Sequence, residues 1–536
     1  MITASMMVGM LLASLDQTIV DTAFPKMISE LGGVSMFSWV ITAYLLASTS
    51  IVPVVGKLAD IYGRKLFWNI GIVIFVGGSV LCGTATSMTS LIVFRGIQGL
   101  GGGMIMPIAQ TIIGDVFTGE QRAKMQGLFT GVFALGSAMG PLLGGYIVDH
   151  FHWKYIFLLN LPTGVIALVL SSVALKNIIN SKSRKIDWMG SALSITGVTA
   201  LLLALQMGGN EWAWASWQSI GLFAGSVVFL GLFIYNELKV PEPLLDLRLF
   251  TNRAFATFCT IAFVVGMGMF GAIVFVPWFI QGVVGVSATH SGTVMLPMTL
   301  MLMFGSILGG LAARKIQYRW QVAFGLLVVM TGFYLATQFT LTTTLWQARI
   351  PMMLIGFGLG LVMPLITLGV QSAFGRNMRG VVTSATAFFR SVGATVGVTV
   401  FGILFNKQMS NQYNLLMVPK LKVMPAQLAA GLTKLAAKPA DLVQLLLQKP
   451  LQEMLPGTIR EPLLGTIKEM MANSIHPVFW TGIAIIALGV LVGQFLGKES
   501  LTTQLARQVA HVNVTAKQPD EPDADDDDMT EVFAGH

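Results

Sequence analysis

Five ionisable residues stand where charge is costly. Asp16 and Asp21 lie inside the apolar run Met6 to Phe24, and Arg95, Arg349 and Arg390 lie within or at the edge of other apolar runs. In hydrocarbon such groups pair with one another or face a polar cavity, and they mark proton or solute pathways. Counting from Ser5, Asp16 falls about 16 Å along its helix, near the midplane of a roughly 30 Å core. Asp21 is five residues nearer the outside and about 140° round the helix, so the two carboxylates do not share a face. A carboxylate at the midplane can exchange a proton, and an arginine that approaches it competes with that proton for the same negative charge. Asp16 is thus the candidate proton carrier, with Arg95 its partner, Gln98 a polar contact and Asp21 a secondary candidate. A fixed Asp16–Arg95 bridge that merely orients two helices is equally consistent with the residues. A carboxylate pointing into lipid, or sealed from every polar cavity, would contradict the carrier reading.

The elements that must hold these groups follow from composition. Of 536 residues, 54% are hydrophobic and 11% charged, against about 25% charged in an ordinary soluble domain. The chain is read as an all-α polytopic membrane protein. About fourteen runs are long enough to span, the first Met6 to Phe24 and the last Val478 to Leu496. The first run lacks a cleavage site and is read as a span rather than a signal peptide. The 58 glycines suit membrane helices that approach closely. Lysines and arginines gather in alternate short loops, which places both termini in the cytoplasm. The formal charge of +8 is scattered over those loops, which argues against nucleic acid. Cys82 and Cys259 lie in apolar runs, and His150 and His152 have no third ligand beside them, so neither a disulfide framework nor a metal site is expected. No nucleophile–base set suggests an enzyme, and no phosphate loop suggests ATP.

An internal duplication divides the chain. Arg95 followed by Gly99, Gly101, Gly102, Gly103 and Met106-Pro107 is echoed by Arg349 followed by Gly356, Gly358, Gly360 and Met363-Pro364. Such repeats imply two halves related by a pseudo-symmetry axis with a solute site between them. The expected division is 1–176 for the first bundle, 177–248 for two extra spans and 249–497 for the second bundle. An outer segment at 406–476 is expected to form short amphipathic helices over the outer face, its leucines Leu432, Leu435, Leu442, Leu445 and Leu446 recurring with helical period. Residues 498–536 read as an acidic, disordered cytoplasmic tail.

Two local motifs carry more specific chemistry. In Gly56-Lys57-Leu58-Ala59-Asp60-Ile61-Tyr62-Gly63-Arg64-Lys65, glycines permit tight turns and one acid stands beside a basic pair. Such a carboxylate can accept from helix N-terminal amides or pair with arginine, forming a conformational latch. Gly136, Gly140 and Gly144 share one helix face, with Pro141 placed to bend the helix and Gly145 adjoining. Tyr44, Gln98, Met106, Met363 and Arg390 are the candidate cavity residues, because methionine repacks readily around varied ligands.

Together with the signature Leu15-Asp16-Gln17-Thr18-Ile19-Val20, the element Arg95-Gly96-Ile97-Gln98-Gly99 and the fifth-span glycines, the loop motif resembles the major facilitator superfamily, in particular its fourteen-span drug/proton antiporters. The resemblance implies two pseudo-symmetric six-helix bundles joined through two extra spans in the cell membrane, exporting hydrophobic or amphiphilic compounds by alternating access, powered by proton entry without a cofactor; a monomer would suffice for this. The partners would be the bilayer, protons and a small-molecule substrate. Export of one physiological solute (lipid, peptide or metabolite) and a non-transporting receptor or scaffold are the alternatives. The second-half counterpart of the loop has Ala313 where the first half has Asp60, so the latch is expected to be asymmetric.

Overall fold

An apolar helix closes all its backbone hydrogen bonds within itself, the condition for crossing hydrocarbon, and in the computed structural model every long apolar run is helical. The structure describes residues 2–31, 36–117, 119–175, 186–209, 212–286, 288–374, 378–421 and 457–496. Among them the only β feature is an isolated bridge between Gly208 and Trp212. Thirteen described helices are long and apolar enough to cross a membrane, and the 32-residue helix Gly119–His150 packs among them as a fourteenth.

The first bundle contains α1 (Ile2–Leu31), α2 (Phe37–Tyr62), α3 (Arg64–Gly83), α4 (Met88–Val116), α5 (Gly119–His150) and α6 (Asn160–Ala174), the last preceded by a helical turn at Tyr155–Leu158. Next come α7 (Trp188–Met207) and α8 (Trp217–Lys239), which pair with each other. The second bundle contains α9 (Arg253–Phe279), α10 (Ala288–Ala312), α11 (Tyr318–Ala336), α12 (Leu345–Ala373), α13 (Arg379–Gln412) and α14 (Gly457–Gly493). The extra pair leans on the rest through α7, where Ser50 and Thr199 hydroxyls lie 2.9 Å apart and Thr399 donates to the Leu205 carbonyl.

The duplicated element acts as a central post in each bundle. Both copies open with a capping box, Ser87 with Ser90 in α4 and Thr344 with Gln347 in α12, which satisfies amides left free at a helix start. Their glycines then admit neighbouring backbones on two sides. A Cβ at Gly99 or Gly103 would strike the carbonyls of Tyr44 or Ser48 on α2, and one at Gly101 the backbone of α3 at Phe75. In the second copy, Gly356 and Gly360 abut the carbonyls of Met298 and Leu302 on α10, and Gly358 abuts Gly325 on α11. The bundles meet where α5 lies along α10 and α2 along α13.

The outer segment departs from expectation. Residues 406–421 continue α13 through a π-helical turn at Tyr413–Met417, and 457–476 belong to α14. The continuous helix Arg379–Leu421 has 43 residues, about 64 Å at 1.5 Å per residue, twice the hydrocarbon thickness. Both helices therefore project as a paired stalk, with Met409, Tyr413 and Met417 packed in the same core as Leu463, Ile467 and Met470. Lys420 Nζ donates to Thr466 Oγ1 at 2.6 Å across it. A periodicity that continues a span is indistinguishable from that of a separate amphipathic helix, so the sequence did not separate the two. The leucines from Leu432 to Leu446 and the acidic tail lie outside the described residues.

Candidate functional site: a buried ion cluster, an inter-bundle lock and a central cleft

Asp16 sits midway along α1 with its carboxylate fully buried, and Arg95 on α4 is 2% exposed. Arg95 Nη1 lies 2.7 Å from Asp16 Oδ2. Asp16 Oδ1 accepts from Gln98 Nε2 and from Asn160 Nδ2, each at 2.8 Å. Ser79 Oγ accepts from the same two amides, at 2.5 and 3.0 Å. The Tyr44 ring lies under the guanidinium at 4.3 Å, a contact that favours a cation. Both charges of the pair are thus held by further groups, which helps a buried ion pair to offset its desolvation. Asn160 and Ser79 carry no charge and belong to no motif, so nothing in the sequence marks them.

Gln98, expected both as a polar contact of the pair and as a cavity residue, bonds Asp16 and Arg95, one helical turn from Arg95. Tyr44, expected in the solute cavity, lies against the Arg95 guanidinium because it faces α4 from α2. All the members come from helices of the first bundle, so rigid rocking of one bundle on the other would not by itself part Asp16 from Arg95. In this conformation the carboxylate is fully buried, as a fixed bridge would be.

Close packing beneath the cluster comes from α5. A Cβ at Gly136 would land on Ser14 Oγ, and one at Gly140 on Thr18 Oγ1, the residues flanking Asp16 on α1. Gly144 is buried, whereas a Cβ at Gly145 would meet nothing. Gly145 thus departs from the packing role expected for it, since one residue of rotation turns it away from α1. The side chains of Asp21 and Pro141 lie outside the described residues.

The lock lies at the end of the molecule where α2 turns into α3. Gly63 makes that turn with φ 99°, a conformation side-chain-bearing residues rarely adopt. Asp60, buried at the end of α2, accepts from the Gly380 and Val381 amides at 3.1 and 2.9 Å. These are first-turn amides of α13, in the other bundle, where unpaired N–H groups and the helix dipole favour a negative charge. Arg64 pairs with Asp60, and its Nε lies 2.9 Å from Asp115 Oδ2. Arg379 Nη1 reaches Asp115 Oδ1 at 3.3 Å and donates to the Gly114 carbonyl at 2.6 Å. Charge therefore alternates across the seam between the bundles. Gly56 lets the helices touch, since a Cβ there would meet Ser384 and the Gly380 carbonyl. Lys65 turns away and donates to Ser172 in its own bundle at 2.8 Å. Asp115 and Arg379 were not singled out from the sequence, where each is one charge at a span boundary.

Between lock and cluster, Met106 on α4, Met363 on α12 and Arg390 on α13 converge on a narrow central cleft with Gln110, Gln126 and Thr367. Its free space holds about one water. Gln371 bridges the seam nearby, donating to the Gln110 carbonyl and Thr383 Oγ1 at 3.0 Å each. Among the described residues no three His, Cys, Asp or Glu side chains gather as a metal site. His150 bonds the Tyr146 carbonyl and His152 the Glu30 carboxylate, each at 3.0 Å.

Two six-helix bundles, joined through a charged seam over a central cleft, define a membrane transporter rather than an enzyme. The family model for the Major Facilitator Superfamily matches residues 6–398, and the chain belongs to that superfamily. It is 42% identical to the multidrug transporter protein MdtP of Bacillus subtilis over 97% of both chains. It is 35% identical to multidrug resistance protein 3 of the same organism, over 94% of this chain and 96% of that one. In fold it resembles the proton:xylose symporter XylE, with a TM-score of 0.61 at 11% identity, over 94% of this chain and 98% of the other.

Proposed function

We propose that the chain is a multidrug exporter of the fourteen-span drug/proton antiporter branch, acting in the cell membrane with both termini cytoplasmic. The observation that carries alternating access is the Asp60 carboxylate resting on the first amides of α13. It is an electrostatic contact between the two bundles, set beside the Arg379–Asp115 pair and the Gln371 bridge, and such contacts can break and re-form. The basic residues of the α2–α3 and α4–α5 loops place this end in the cytoplasm. The conformation is then closed on the cytoplasmic side, and solute would reach the cleft from the cytoplasm once the lock parts.

Proton entry is proposed to act at Asp16. A proton arriving there would remove the negative charge that holds Arg95, Gln98 and Asn160, leaving a buried cation that must find other partners. That imbalance supplies a driving force for rearrangement within the first bundle, beyond rigid rocking. Support comes from the cluster's place at mid-membrane, where ionisable groups are functional by default. A second reading, favoured by the sealed burial of the cluster, makes it a fixed bridge. The experiment uses proteoliposomes with an imposed pH gradient and a panel of lipophilic cations and neutral dyes. The wild-type chain is expected to move several unrelated dyes, and Asp16→Asn to insert normally yet lose gradient-driven flux. Undiminished flux in Asp16→Asn would leave the bridge reading in its place.

A further inference from the structure

The central cleft holds a cation with no anion. Arg390 lies eleven residues into α13, about 16 Å from the latch end, and so at mid-membrane. Its one side-chain contact of hydrogen-bonding type is from Nη2 to Met106 Sδ at 3.5 Å, and a thioether is a weak acceptor. No carboxylate pairs with it among the described residues. The polar groups that share the cleft, Gln110, Gln126, Thr130 and Thr367, are uncharged. Contrast Arg95, which has a carboxylate, the Gln98 amide oxygen and an aromatic ring around it. A guanidinium away from bulk water is costly until an anion with matching geometry meets it, and it pairs best with carboxylate-like groups through two parallel donors.

We propose that Arg390 is the anion-recognising residue of the solute site, and that the substrates include amphiphiles carrying a carboxylate or a similar oxyanion on an apolar body. Met10, Met106, Phe129, Phe133 and Met363 line the same cleft and supply an adaptable apolar wall for the body. The amides and hydroxyls supply donors for the remaining oxygen atoms. This assignment rests on the export reading in one respect: it takes the cleft to be the solute site.

The test uses the full-length protein in detergent and one matched pair of probes, a dansyl-labelled long-chain fatty acid and its methyl ester, with binding read by fluorescence anisotropy. Wild type is expected to bind the acid roughly tenfold or more tightly than the ester, the scale of a charge-assisted hydrogen bond. Arg390→Gln should bring the acid down to the ester's affinity and leave the ester within about twofold, while Arg390→Lys should keep most of the preference. Equal binding of acid and ester by wild type, or an equal loss of both in Arg390→Gln, would overturn the proposal. Displacement of the acid by chloride as readily as by an unlabelled fatty acid would also overturn it, by giving the site to an inorganic anion. Should Arg390→Gln fail to fold, the wild-type preference and Arg390→Lys still decide. Gradient-driven efflux of ethidium is measured beside these. Ethidium efflux without acid preference removes this inference alone, and Arg390-dependent acid binding without any driven flux removes the export reading alone.

Discussion

Arg95 and Arg349 both stand near the start of a capped, glycine-laddered post, but one helical turn apart in register, since the caps, glycines and Met-Pro pairs of the two copies align Arg95 with Met352, and they live differently. Arg95 is sealed against Asp16, Gln98 and Tyr44. Arg349 is partly exposed, lies over the Trp346 ring at 4.5 Å and donates to Thr293 Oγ1 at 3.3 Å. The packing half of the element was kept in both copies and the charge chemistry in one. The latch shows the same bias: Asp60 grips α13, while its counterpart Ala313 is buried with no charge to offer. Gln321 instead ties the Gly309 and Leu361 carbonyls within the second bundle. The first bundle thus carries the ion cluster and the latch carboxylate, and the second contributes the amides that the latch grips and the arginine of the cleft.

The sharpest way to break this comparison is to remove the two arginines in parallel. Arg95→Ala leaves a buried carboxylate uncompensated and should cost about 3–5 kcal/mol, seen as a large fall in melting temperature and loss of flux. Arg349→Ala should cost under about 1 kcal/mol, because it removes one hydroxyl contact and an exposed ring contact. Equal losses would show that the asymmetry has no energetic meaning. Next in size, Gly140→Val forces α1 and α5 apart beside the cluster and should destabilise by about 1–3 kcal/mol. Gly145→Val, where a Cβ meets nothing, should melt like wild type. Smaller again, Asp60→Asn removes the charge resting on the α13 dipole, a loss of about 0.3–2 kcal/mol. Its readout is the distance between spin labels on the cytoplasmic ends of α2 and α13. A shift toward longer distances is expected, and an unchanged distribution would remove Asp60 from the latch.

Much of this was legible in the sequence, for physical reasons. Long apolar runs can only be helices in hydrocarbon, so the span count, the duplication and the glycine faces could be read directly. Asp60 was legible because an acid in a glycine-bounded turn has few roles. What could not be read was which elements meet. Asp115 and Arg379 lie 264 residues apart, and Asn160 and Ser79 join the cluster only because α6 packs on α1 and α3 packs on α4 and α6. Tyr44 looks like a cavity residue until the rotation of α2 is known. The α13 and α14 stalk was missed because helical period does not reveal where a helix leaves the membrane.

Asp16 is proposed to exchange a proton in step with solute movement. The direct measurement is proton release into a lightly buffered detergent solution when a transported dye is added, followed with a pH indicator. Wild type should release protons in proportion to dye bound, and Asp16→Asn should bind dye and release none. Equal release from both proteins would place the exchanging proton elsewhere and leave Asp16 as a structural tie.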